Sequence, residues 1–281
     1  MQRMQRAEST EHTDHQDSAA QTGCIEQRHT ERIVIFDLIR GCAVISMVLF
    51  HLCYDLVMLF GVDLPWFYGP VQTFWRCSIS WTFIALAGCM VCFSKNNARR
   101  AAKLLALALL IFLVTSWAQI DDPINFGIIF CLGACGAISE ALRRAGLRFE
   151  GYCCAAGLLA AFVICLPLSS GSLFLGITSV ALPQALYQND VFAWLGFVTP
   201  QFVSGDYYPV LPHLFLYLAA YAFCAQLQQQ GFPSWTKQCV SSFATPLRIV
   251  ARPLQSIGQH ALGVYLVHQV VLLGILKLFL G

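Results

Sequence analysis

Long apolar runs separated by short polar stretches dominate the chain from residue 33 onward. A helix that spans a bilayer needs about 20 mostly apolar residues. Seven runs approach that length, at about 33–60, 70–93, 101–119, 124–142, 151–168, 210–228 and 258–280. The pattern therefore predicts an all-α polytopic membrane helix bundle with about seven transmembrane helices.

Two other stretches differ from these runs. Residues 172–186 are apolar, but the stretch is short and is interrupted by Gly176 and Pro183. We interpret it as a re-entrant or interfacial segment, with an eighth transmembrane helix as the alternative. Residues 1–32 are polar and rich in Gln, Glu, His and Thr, a composition typical of disorder. The predicted organisation is thus a disordered cytoplasmic tail, 1–32, and one transmembrane domain, 33–281.

Composition excludes several classes of protein. Charged residues make up 11% of the chain, whereas a soluble domain carries about 25%. A net charge of +2 is too small for the basic surface of a nucleic-acid-binding protein. Nearly all of the 13 cysteines lie in apolar runs, where cysteine packs as a small hydrophobic residue. Neither nucleic acid nor a bound metal is predicted.

Lysine and arginine residues indicate the cytoplasmic side. They precede the first predicted helix and follow the second, fourth and sixth, whereas the loops 61–69, 119–123 and 169–209 contain none. Because positive residues collect in cytoplasmic loops, we expect a cytoplasmic N-terminus and an outside C-terminus in the cell (plasma) membrane. An eighth span at 172–186 would place Arg248 and Arg252 outside, which argues against it.

Ionisable residues within a predicted span are costly and therefore mark candidate functional sites. The first predicted helix contains Asp37, Arg40, His51 and Asp55. His51 lies about 16 Å beyond Arg40 at 1.5 Å per residue, past the middle of the membrane. Asp55 follows one turn later on the same face, where its carboxylate can orient the imidazole. This is the arrangement of a general base with its partner; a packed histidine bonded to a carbonyl is the alternative. For Asp37 and Arg40, the alternative is an interfacial ion pair.

Further polar residues fall in the outer half of the predicted bundle. They are Arg76 in the second helix, and Asp206, Tyr207 and His213 around the start of the sixth. His268 lies near mid-depth in the last helix. We expect a polar cavity that opens outward with His268 at its floor, although residues at an edge can be solvated and Arg76 can extend its charge to the surface.

Four motifs, in order along the chain, resemble one known family. They are Phe36-Asp37-Leu38-Ile39-Arg40-Gly41-Cys42-Ala43 running on to His51, Phe126-Gly127-Ile128, Asp206-Tyr207-Tyr208-Pro209, and the segment 258–269. Over about residues 33–280 the chain is similar to bacterial relatives of heparan-α-glucosaminide N-acetyltransferase. Two positions depart from the family pattern: Phe130 stands where a histidine is usual, and His213 stands where tryptophan is frequent.

The resemblance implies a transmembrane acyltransferase domain over 33–281. Such an enzyme takes acetyl-CoA or another acyl-CoA from the cytoplasm and transfers the acyl group to an amine or hydroxyl of a sugar or glycan on the far side. It implies His51 as the base and places Arg40 on the CoA side. Asp206 and His268 match polar positions of the family. The partners are then the lipid bilayer, the acyl-CoA and the glycan acceptor, and a homodimer is left open.

The chemistry of the residues fits this reaction. Arginines near the inner face, Arg40 with Arg99 and Arg100, are candidates to hold the CoA phosphates. His51, oriented by Asp55, would accept the proton of the attacking acceptor. The candidate substrate-binding residues are Arg76, Asp206, Tyr207, His213 and His268. The alternatives are a proton-coupled small-molecule transporter, with His51, Asp55 and His268 as its proton relay, and a non-catalytic membrane scaffold.

Overall fold

The computed structural model describes residues 33–118, 122–233 and 245–280. The predicted tail, 1–32, lies outside the described residues. The helices in the described part are α1 Val34–Met58, α2 Pro70–Cys89, α3 Asn97–Ala118, α4 Ile128–Arg144, α5 Tyr152–Cys165, α6 Val210–Gln230, α7 Thr245–Gln259 and α8 Ala261–Leu280. Short 3-10 helices extend α2 through Met90–Cys92 and α5 through Leu166–Ser170.

The predicted all-α polytopic bundle is confirmed. Among the described residues, six helices are long and apolar enough to cross a membrane: α1, α2, α3, α5, α6 and α8, with the 3-10 extensions counted. Helix α4 has 17 residues, which at 1.5 Å per residue gives roughly 25 Å. That length is at the short end of the range for a spanning helix. Helix α4 falls on the fourth predicted run, 124–142, and its crossing of the membrane stays a prediction.

The segment 172–186 forms no transmembrane helix. Strands β1 Ser172–Phe174 and β2 Ser179–Ala181 make a small antiparallel hairpin in which Ser172 pairs with Ala181. Gly176 lies in the turn at φ 82°, a conformation that a helix does not contain. Further 3-10 turns, Gln184–Tyr187 and Asp190–Leu195, follow. The structure therefore supports the short non-spanning interpretation of this segment, because the glycine and the proline prevent a continuous helix.

Helix α7 is an element that the hydrophobic pattern did not predict. It packs against the first half of α1 and ends at Gln259, so that only His260 separates it from α8. The two backbones cross in direct contact: a Cβ at Gly258 would collide with the carbonyl of Asp37, and a Cβ at Gly41 would collide with the carbonyl of Leu254. The predicted run 258–280 therefore divides between the end of one helix and the whole of the next.

The core of the described residues has two main parts and a small third one. One main part joins α2, α4 and α6 around residues such as Ile84, Cys131 and Tyr217, and the other joins α1 to α2 around Val44 and Phe67. The small part joins Val34 on α1 to Ala251 on α7. In each of the helices α3 and α8, only 6% of the most apolar 18-residue stretch is buried. Their outer faces are therefore suited to contact with lipid. Helix α8 also contacts α1 side by side, and the candidate site forms along that contact.

Candidate active site

Two histidines from the first and last helices meet inside the bundle. The ring centroids of His51 on α1 and His268 on α8 are 4.8 Å apart, with the ring planes tilted by 58°. The sequence grouped the two residues only in the proton relay of the transporter alternative, and they are 217 positions apart along the chain. The contact brings them together directly in one site.

The orientation of His268 follows from its hydrogen bond. Its Nδ1 lies 2.6 Å from the carbonyl oxygen of Tyr265, one turn earlier on α8. A carbonyl oxygen can only accept, so Nδ1 carries the hydrogen and Nε2 holds the free lone pair. The residue is only 9% exposed, and its Nε2 is buried without a hydrogen-bond partner. A buried and unpartnered basic nitrogen is unusual in a folded protein.

Asp55 is held from the opposite helix. Its side chain is fully buried, and the Nε2 of Gln269 donates to both carboxylate oxygens, at 2.8 and 3.0 Å. Sequence reasoning missed Gln269 because it considered ionisable residues only, although Gln269 directly follows His268 in the fourth motif. The amide joins α8, directly after His268, to α1, one turn after His51, and so stabilises the contact between these two helices.

The second and third motifs form one docked unit. Asp206 accepts a hydrogen bond from the backbone N–H of Ile128, at 2.9 Å, at the first turn of α4. Tyr208 N–H donates to the carbonyl of Phe126, at 3.0 Å. Gly127 leaves room for this contact, since a Cβ there would lie 2.8 Å from Asp206 Oδ2. A carboxylate at the start of a helix is favoured by the unpaired N–H groups and the helix dipole.

Arg76 lies within electrostatic range of this unit. Burial raises the pKa of the Asp206 carboxyl, while the hydrogen bond from Ile128 and the charge of Arg76 oppose that rise. Tyr265 is the link to the histidine pair: it interacts with Asp206 and Tyr208, and its ring centroid is 5.6 Å from that of His268. Interactions through Asp206 and Tyr265 therefore connect Arg76 with His268, and the outer-half cavity stays a prediction.

Tyr207 and His213 have other partners. The hydroxyl of Tyr207 donates to the carbonyl of Ala193, at 2.7 Å, and burial raises its pKa to about 12. His213 is 6% exposed, its Nδ1 lies 2.7 Å from the carbonyl of Pro209, and its ring packs between Phe162 and Tyr208. These contacts connect the loop 172–209 to α5 and α6, which is a structural role.

An apolar pocket of about 330 Å³ lies beside the docked unit. Phe126, Gly127, Phe130 and Tyr265 contribute to its lining, together with α3. Phe130, the first departure from the family pattern, packs against Phe126 with ring centroids 5.0 Å apart. An aromatic contact thus occupies the position where the family pattern predicts a polar one.

The three arginines assigned to the donor differ in their surroundings. Arg40 contacts Asp37 at 3.0 Å and the carbonyl of Gly258 at 3.5 Å. Arg100 donates to the carbonyl of Ala87 at 2.7 Å and contacts the Tyr217 hydroxyl at 3.3 Å. Arg99 is exposed. Both Arg40 and Arg100 therefore join neighbouring helices, and the role of the three as donor-binding residues stays a prediction.

A polar pocket of about 710 Å³ opens at the end of the bundle where α2, α4 and α6 carry their basic loops. Lys95, Arg143 and Arg144 line it together with Glu140 and Glu150. Arg143 donates twice to Glu140, at 3.0 Å each, and Arg144 donates once at 2.8 Å. The sequence used these arginines only as markers of topology, because nothing along the chain indicates that they share a concave surface.

These features define a polytopic membrane protein with an ionisable site inside its helix bundle. The catalytic-domain family of heparan-α-glucosaminide N-acetyltransferase matches residues 32–270, and the chain belongs to this family. The resemblance carried by the four motifs is confirmed, and all four lie within the matched range. No curated protein and no solved structure matches the chain. The family is one of transmembrane acetyltransferases, so the coarse class of activity is acyl transfer.

Proposed function

We propose that the protein moves an acetyl group from cytoplasmic acetyl-CoA to an amine or hydroxyl of a sugar or glycan on the opposite side of the plasma membrane. The observation that carries this proposal is the histidine pair, His51 with His268, inside a bundle that belongs to an acetyltransferase family. Acyl transfer needs a group that takes a proton from the acceptor and returns one to the thiolate. In this proposal the histidine pair is that group.

The neighbouring residues have roles consistent with this reaction. Asp55, held by Gln269, supports the α1 side of the pair. The guanidinium of Arg76 is the candidate to stabilise the oxyanion that forms when the thioester carbonyl is attacked. Asp206 interacts electrostatically with Arg76 and favours its charged form. Tyr207 and His213 support the acceptor side indirectly, through the loop that they anchor.

The donor enters, in this proposal, from the end that carries the basic loops. The pocket of about 710 Å³ is large enough for a nucleotide, and Lys95, Arg143 and Arg144 can pair with phosphates. Arg99 is exposed at the same end, near the start of α3. The pantetheine arm would then extend toward the histidines, roughly 16 Å deeper along α1 than Arg40.

The test uses the full-length protein in lipid nanodiscs with labelled acetyl-CoA and a panel of amino sugars. We expect release of free CoA together with a labelled sugar, and loss of both in His51→Ala. The matched control is His260→Ala, because His260 is exposed and its Nδ1 bonds to the carbonyl of Ser256, one turn earlier in the chain. Transport of a solute into vesicles without CoA release would contradict the proposal and would favour the transporter alternative.

A further inference from the structure

Within the histidine pair, we infer that His268 is the residue that takes the proton, through its Nε2, and that His51 positions the reacting groups beside it. This inference rests on the proposed function, since it assigns a role within the same site. It differs from the expectation drawn from the sequence, which placed the base at His51. The difference comes from two hydrogen bonds that a sequence does not reveal. They join His268 to the Tyr265 carbonyl on the same helix, and Gln269 to Asp55 across the bundle.

The lone pair of His268 is fixed by the backbone. Nδ1 donates to the Tyr265 carbonyl on the same helix, so the tautomer does not depend on any mobile partner. Tyr265 itself packs against both main parts of the core, which holds this turn of α8 in place. Nε2 is left buried and unpartnered, and it is therefore ready to accept a hydrogen bond from a bound acceptor.

The surroundings of His268 suit the reaction better than those of the other buried histidine. His213 has the same Nδ1-to-carbonyl bond, to Pro209, but its ring is enclosed by Phe162 and Tyr208. His268 instead faces a second imidazole, 4.8 Å away, and lies next to the tyrosine that interacts with Asp206. A polar substrate group bound at the edge of this pair would lie next to both imidazoles.

The proton balance closes with His268 alone. As the acceptor nitrogen or oxygen attacks the thioester carbon, its proton passes to Nε2, and a tetrahedral oxyanion forms. When the carbon–sulfur bond breaks, the same proton passes from Nε2 to the leaving thiolate. The products are the acetylated acceptor and CoA with a free thiol, and His268 returns to its starting state. His51 hydrogen-bonds the substrate and is, in this scheme, a positioning residue.

The experiment compares His268→Gln, His51→Gln and the control His260→Gln in nanodiscs, with acetyl-CoA and an amino sugar that wild type accepts. Glutamine keeps a hydrogen-bonding side chain but cannot take the proton. General-base catalysis contributes about 10²–10⁴-fold. We therefore expect a kcat loss in that range for His268→Gln with KM nearly unchanged. His51→Gln should mainly raise KM.

Chemical rescue and the pH profile separate a base from a structural residue. Added imidazole should restore turnover to His268→Ala but not to His51→Ala. Hydroxylamine is a nucleophile that is unprotonated at neutral pH. With hydroxylamine as the acceptor, the rate of His268→Gln should be much closer to the wild-type rate than it is with the sugar. The acidic limb of the wild-type pH profile for kcat should disappear in His268→Gln and persist in His51→Gln.

Two negative results have different meanings. If wild type releases no CoA with any acceptor, the proposed function itself fails. If wild type is active and His268→Gln keeps a wild-type kcat, or if imidazole rescues only His51→Ala, the assignment of the base to His268 is wrong while the function stands. Elution of each variant as a single folded species on size exclusion guards against loss of fold, and the imidazole rescue remains informative for a variant of reduced stability.

Discussion

The hydrogen bonds between Gln269 and Asp55 predict a measurable loss of stability when the amide is removed. In Gln269→Leu, a side chain of similar volume can still pack, but both contacts to a fully buried carboxyl are lost. A hydrogen bond to a charged group contributes about 1.5–3 kcal/mol. Breaking a buried ion pair costs about 3–5 kcal/mol, and we expect less than that, because Asp55 has a further interaction and Gln269 is neutral. The expected cost is therefore about 2 kcal/mol.

Thermal unfolding in detergent, followed by size exclusion, measures this cost. For a chain of this size, 1 kcal/mol corresponds to about 2–4 °C in Tm, so Gln269→Leu should lower Tm by about 4–8 °C. The matched control is Gln229→Leu. Gln229 makes the same amide-to-carboxylate contact, at 2.8 Å to Glu150, but that contact is exposed. Solvent competes for an exposed pair, so we expect a change below about 0.5 kcal/mol there.

A double-mutant cycle with Asp55→Asn tests whether the two side chains act on each other. Contacting residues in one hydrogen-bond network show coupling of about 0.5–3 kcal/mol. Gln269→Leu should therefore cost less in the Asp55→Asn background than in wild type. Equal Tm losses for Gln269→Leu and Gln229→Leu, or fully additive effects with Asp55→Asn, would refute the reasoning that this bond joins α1 to α8.

Three further predictions follow from contacts elsewhere in the bundle. Gly258→Val should abolish folding or lower Tm strongly, because the added Cβ would collide with the backbone of α1. The control Gly263→Val should be tolerated in the same unfolding assay, because a Cβ at that position meets no atom within 4 Å. Asp206→Leu should cost about 1 kcal/mol in stability as a lost N-cap, while Asp206→Asn keeps an acceptor for Ile128 and should cost less. Arg143→Gln should raise the KM for acetyl-CoA about tenfold, a loss of about 1.4 kcal/mol in the free energy of donor binding. The KM for acetyl-dephospho-CoA should change less, and equal effects on both donors would argue against a phosphate contact.

The orientation in the membrane is open to a direct measurement. A protease site inserted into residues 1–32 should be cut from the cytoplasmic side of sealed vesicles, and one inserted after residue 281 should be cut only from the other side. The physical reason is the concentration of basic residues in alternate loops. Cleavage of both sites from the same side would show an even number of crossings and would contradict the predicted topology.

The sequence predicted the spanning helices because their physical signal is local. An uninterrupted apolar run of about 20 residues has few alternatives to a membrane helix, and α1, α2 and α6 begin within a few residues of their predicted starts. Helix α7 was missed because Arg248, Arg252 and Pro253 break up the apolar residues along the sequence, so the segment resembles a cytoplasmic loop. Its position against α1 depends on the small size of Gly41 and Gly258, which no periodicity reveals.

The candidate site was predicted only in part, for a different reason. Asp55 was paired with His51 because neighbours on one helix are visible in a single sequence. The bond to Gln269 and the contact with His268 join residues more than 200 positions apart. Gln269 carries no charge and so gave no signal of its own in an apolar run. The basic pocket was missed likewise, because concavity arises only when α2, α4 and α6 come together.

The bond from Gln269 to Asp55 also has a consequence in time. The two residues are 214 positions apart, and synthesis proceeds at about 5–20 residues per second. The buried carboxyl of α1 therefore waits roughly 10–40 s, after its own helix has been made, for the amide on α8. During that interval the first helix lies in the bilayer with a polar face that lacks this partner. A nascent chain that stops before α8 would keep that face exposed, and the cell would have a physical mark by which to recognise and degrade incomplete copies.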